Sequence, residues 1–62
     1  MAYYVIKTFD AEQRFVGRQD LWAEDDWQAE AQVKPLVRLD WSQELWRGAR
    51  WIRTYPPTAR AA

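Results

Sequence analysis

Without a single cysteine in 62 residues, this chain must close its core by packing alone. Disulfides and Cys-type zinc sites, the staples on which domains of this size commonly depend, are ruled out. The length leaves room for one core, read here as a single domain over residues 1–57 with a disordered tail at 58–62 after Pro56-Pro57. The apolar material that has to replace the staples is aromatic: five Trp, three Tyr and two Phe, each ring able to bury ~200 Å². A domain this small cannot enclose five indoles, so at least one Trp face is expected at the surface or in an oligomer contact.

The local pattern predicts an α+β fold. Tyr3-Tyr4-Val5-Ile6-Lys7-Thr8-Phe9 and Arg14-Phe15-Val16-Gly17-Arg18 are rich in aromatic and β-branched residues and flank Asp10-Ala11-Glu12-Gln13, which reads as a β-hairpin. No Asn-Gly or Asp-Gly lies between them, so a longer loop around a type I turn opened by Asp10 is expected. Residues 20–34 read as helix, begun by Asp20 or Asp25. Asp25 carries the better signature because Gln28 follows three residues later as in a capping box, and Pro35 supplies the stop. Trp22, Ala29 and Val33 are expected to share one face of it. Leu36-Val37-Arg38-Leu39 is ambiguous between strand and loop.

Asp40 with Gln43 forms a second possible cap, and Trp41 and Leu45 would line a short helix ended by Gly48. Ala49 to Tyr55 then reads as a strand, with Trp51, Arg53 and Tyr55 on one side and Arg50, Ile52 and Thr54 on the other. A continuous helix over residues 41–53 is the competing reading. The architecture predicted is a β-hairpin plus carboxy-terminal strand in a three-stranded antiparallel sheet, packed against one or two short helices.

Charge is balanced overall but divided along the chain. Residues 1–31 carry three bases against seven acids, and residues 32–62 six bases against two acids. Opposite-signed halves are expected either to present a partner-facing surface or to self-associate. No apolar run is long enough for a membrane span, and Lys7 interrupts the amino-terminal apolar stretch too early for a leader, so a cytoplasmic protein without a membrane partner is expected.

Catalysis fails on missing parts. There is no histidine, no cysteine, and no glycine-rich phosphate cradle, Gly17 and Gly48 being the two glycines. An EF-hand count from Asp20 meets Trp22 at its third position and Asp25 where glycine is required. No enzyme activity, cofactor or metal is expected. Two binding surfaces remain. Asp20, Glu24, Asp25, Asp26 and Glu30 run without an intervening base, a pattern that on a helix opposes a basic partner, although acids near a helix start also complement the macrodipole without a partner. Trp46, Arg47, Arg50, Trp51, Arg53 and Tyr55 interleave rings with planar cations, which suits a protein hot spot or a nucleic acid. The bland alternative places Trp41, Leu45, Trp51 and Ile52 in the core with the arginines lying over them.

The sequence therefore leads to a small non-enzymatic protein-binding regulator or inhibitor, using the acidic helix or the Trp and Arg surface. Its size is typical of phage or mobile-element products. A nucleic-acid-binding module is the alternative, opposed by the zero net charge. A self-associating assembly subunit is the third reading, with a homo-oligomer as its partner.

Overall fold

The computed structural model describes residues 1–36 and 40–57. Its elements are β1 (Ala2–Phe9), β2 (Phe15–Ala23), α1 (Asp26–Val33), a 3₁₀ turn at Lys34–Leu36, β3 (Ser42–Arg47) and β4 (Arg50–Tyr55). The strands form one antiparallel sheet in the order β2-β1-β3-β4. The α+β class stands, but the sheet has four strands instead of three, with one helix packed on it.

The amino-terminal hairpin turns as its side chains dictate. The Asp10 carboxylate accepts the N–H groups of Glu12 and Arg14, both at 2.9 Å, while the Gln13 N–H donates to the Asp10 carbonyl. Gln13 sits at φ 66°, where the loop needs a left-handed residue before the chain re-enters the ladder. β2 then pairs along β1 as far as Ala2 opposite Ala23. This corrects the expectation of helix from residue 20: Trp22 lies in β2, because eight residues of β1 offer unpaired backbone groups and the ladder overrides the helical propensity of residues 20–23.

The helix begins where its cap was expected. Asp25 is extended, its carboxylate accepts the Gln28 N–H at 2.8 Å, and the Gln28 side chain accepts the Glu24 N–H at 2.6 Å. Ala29 and Val33, four residues apart, are fully buried against Tyr4, Ile6, Leu21, Ala23 and Leu45. That cluster is the core between α1 and one face of the sheet.

The largest correction falls on residues 41–53. Instead of a helix from the Asp40 cap, or one continuous helix, the segment is a hairpin. Gly48, at φ 60°, opens the two-residue connection between β3 and β4, the first-position glycine that a II′ turn requires. The left-handed residue read as a helix end is thus a strand reversal. The expected alternation in β4 also breaks, because Leu45 opposes Arg53 while Trp46 opposes Trp51. Ile52 is therefore the extra residue of a bulge, and Arg50 and Arg53 fall on the same face. Residues 37–39, left between strand and loop, and the tail at 58–62 lie outside the described residues.

Candidate interaction surface

Strand alternation and register sort every sheet residue onto one of two faces. The face under α1 carries Tyr4, Ile6, Leu21 and Leu45. The opposite face is built in rows across the strands: Trp22 beside Tyr3; then Asp20, Val5, Trp46 and Trp51; then Arg18, Lys7, Glu44 and Thr54; then Phe15, Phe9 and Ser42. No described element covers it. Trp22 is 57 % exposed and Trp51 53 %, and Tyr3 and Phe15 are exposed as well.

This open face is ordered by its own contacts. Tyr3 packs against Trp22 in a tilted arrangement with ring centroids 5.0 Å apart, and Phe9 meets Phe15 edge-on at 6.0 Å. The Tyr3 hydroxyl donates to Asp20 at 2.9 Å, and Arg18 donates to both. The Tyr3 hydrogen bond and then the Arg18 guanidinium hold the Asp20 carboxyl below its usual range. The Lys7 ammonium lies 4.3 Å from the Trp46 ring centre, the Trp46 indole N–H donates to Glu44 at 3.0 Å, and the Trp51 indole N–H donates to Thr54 at 2.9 Å. The Tyr3 and Thr54 hydroxyls, the Trp46 and Trp51 indoles and the Asp20 and Glu44 carboxylates thus have partners within the face. Val5, with bulky neighbours along and across the strands, is only 8 % exposed although it is outside the helix-side core.

The residues expected to bind are divided between these faces. Of the acids, Asp20 belongs to the open face, Asp25 is the helix cap, Glu24 is exposed before the helix, and Asp26 and Glu30 point toward the β3-β4 hairpin. Asp26 accepts the buried Tyr4 hydroxyl at 2.7 Å and pairs with Arg50 at 2.9 Å and Arg47 at 3.4 Å, while Glu30 pairs with Arg53 at 2.8 Å. The Asp26 carboxyl is lowered first by the Tyr4 hydrogen bond and then by the two guanidinium groups, against desolvation; burial and the same hydrogen bond raise the Tyr4 hydroxyl. The opposite-signed halves of the chain therefore meet within the fold.

The basic aromatic segment is likewise split. Trp46 and Trp51 stand on the open face, whereas Arg47, Arg50, Arg53 and Tyr55 stand on the helix side. Tyr55 lies across from Gln43, and its hydroxyl and Gln43 Oε1 have no hydrogen-bond partner among the described residues. Burial, followed by the nearby Glu30 charge, raises the Tyr55 hydroxyl. Of the residues assigned to the core in the bland reading, Leu45 is buried and Ile52 packs on the cluster, but Trp51 does not.

Sequence reasoning missed Tyr3, Lys7, Trp22 and Glu44 as members of one surface. The hairpin alone could not have supplied the signal: equal strand lengths about residues 10–14 set residue 3 against residue 21, and it is the bulge at Val16 that shifts the register and brings Trp22 opposite Tyr3.

On the helix, Trp27 is 82 % exposed and borders a recess of about 100 Å³ lined by Glu30, Ala31 and Lys34, well short of the ~300 Å³ at which small-molecule sites begin. Among the described residues, no group of three or more acidic side chains is placed to hold a metal ion, and no helix is long and apolar enough to cross a membrane. No known protein family matches the chain, and neither a characterised protein nor a solved structure is significantly similar to it.

Proposed function

We propose that this chain is a non-enzymatic protein-binding domain, acting as a regulator or inhibitor does, by occupying a partner surface with the open face of its sheet. The observation that carries the reading is the assembly of Tyr3, Trp22, Trp46 and Trp51 on one uncovered face. Large, stiff rings lose little side-chain entropy on contact and dominate protein interfaces, and charges of both signs set among them suit a protein partner. Stacking rings on an antiparallel sheet also suit single-stranded nucleic acid. The protein reading is preferred because Lys7 and Arg18 share the face with Asp20 and Glu44, and because Arg47, Arg50 and Arg53 are paired with Asp26 and Glu30 on the other side. That leaves the face without the positive field phosphates require.

The test is capture from nuclease-treated lysate by the immobilised chain, compared with a Trp22→Ser/Trp51→Ser double variant and with Trp27→Ser as a control. Capture by the native chain and the control, reduced at least ~10-fold in the double variant, is the expected result. Equal capture by all three, capture that disappears with nuclease, or capture of neither a lysate protein nor a tagged second copy added to the lysate would overturn the reading.

A further inference from the structure

The middle of the open face has a symmetry that the rest of the surface lacks. Lys7 on β1 and Glu44 on β3 are direct cross-strand neighbours, either side of the line between the two central strands. Each interacts with Trp46, and no ion pair joins them to each other within the sheet. Val5 and Trp46 flank the same line one row along, a small side chain beside a large one.

Resting on the reading of this face as the contact surface, we propose that the protein covering it is a second copy of this chain, docked face to face about a two-fold axis that runs along the strands between β1 and β3. Such an axis exchanges β1 with β3 and β2 with β4 of the opposing copy while keeping each row in place. Lys7 of each copy then meets Glu44 of the other, twice over, and Trp46 of each copy lies opposite the smaller Val5 of the other. Charge and size are both self-complementary, as a two-fold interface demands. Aligned sheets pack in this manner with their strands within about 30°.

Three further observations favour this occupant. Many polar groups of the face are already paired within it: Tyr3 with Asp20 and Arg18, the Trp46 indole with Glu44, and the Trp51 indole with Thr54. Covering it therefore leaves few orphaned donors. The alternative route, edge to edge, is obstructed, because both edge strands carry a bulge, at Val16 in β2 and Ile52 in β4, and bulges with flanking charges discourage strand addition. Finally, four strands ~4.8 Å apart and about six residues of ~3.3 Å give a platform of roughly 400 Å² in projection. Counted on both copies that is ~800 Å², below the ~1,200 Å² at which stable interfaces begin, so a weak, reversible, concentration-dependent dimer is expected.

Sedimentation equilibrium between micromolar and millimolar protein tests this. The native mass should rise from 7.5 kDa toward twice that value. Lys7→Glu and Glu44→Lys each place like charges opposite one another twice, and each should weaken self-association ~100-fold. Mixing the two variants restores opposite charges at both contacts, so a heterodimer should form from two monomers. Within a single chain no such rescue exists, because each variant keeps its own like-charged neighbours. Should the single variants fail to fold, the Lys7→Glu/Glu44→Lys double variant, complementary within and between chains, must dimerise as the native chain does. A native chain that stays monomeric at millimolar concentration, single variants that dimerise undiminished, or a monomeric double variant would overturn the second copy as occupant. If that happens while Trp22 and Trp51 still govern capture of another protein, the open face remains the contact surface and only its occupant changes.

Discussion

Asp26 is where the two charge halves of the chain are fastened. Its carboxylate receives a buried hydroxyl and two guanidinium groups, and the hydroxyl contributes most to holding its carboxyl below the usual range. A group whose folded pKa is depressed releases its proton more readily in the folded state, so its contribution is whole above the unfolded value near ~3.9 and is lost as pH falls through the folded value. Asp20, lowered by Tyr3 and Arg18, acts in the same window. The melting midpoint should therefore fall between about pH 5 and pH 2. Asp26→Asn should lower the midpoint at neutral pH and flatten that fall. Tyr4→Phe removes the strongest cause of the shift, so it should flatten the fall as well. It should also cost about 1 kcal/mol, or ~4–8 °C, from the lost hydrogen bond. Thermal melts across the acid range decide this, and an unchanged acid slope in both variants would contradict the assignment.

At the scale of elements, the turns determine what the strands become. Gly48 has φ 60° and open space where a Cβ would sit, so Gly48→Ala should cost ~1 kcal/mol from backbone strain alone. Gln13, at φ 66°, is the reverse case: Gln13→Gly should stabilise the domain by a few tenths of a kcal/mol up to ~1. Chemical denaturation of both variants measures the pair, and opposite signs are expected. These turns also explain what could be read from the sequence. The Asp10 turn and the Asp25 cap were legible because their side-chain hydrogen bonds are local. The β3-β4 hairpin was not. Asp40, Gln43 and Gly48 satisfy a helix template as well as a strand reversal, and only pairing of β3 with β1, a contact between distant segments, selects the strand. Trp22 was misplaced for the same reason. The Ile52 bulge depends on β3 too, and it is what turns Arg53 from the expected company of Trp51 toward Glu30. The binding segments were thus found as residues but not as a surface, since their division between two faces follows from register.

At the scale of the whole molecule, the described residues form two layers, and none of them supplies a third. One face of the sheet has its helix; the other holds Trp22, Trp46 and Trp51 with a narrow set of internally paired charges. A chain with no disulfide and, among the described residues, a core cluster of seven buried side chains gains from covering that face, which is why binding and stability are coupled in this account. Oxidative footprinting of the indoles tests it most directly, comparing dilute protein with the assembled state. Trp22 and Trp51 should lose reactivity together on assembly while Trp27, exposed on the helix, keeps its own. Protection of Trp27, with Trp22 and Trp51 as reactive as in the dilute chain, would contradict the account and move the working surface to the helix.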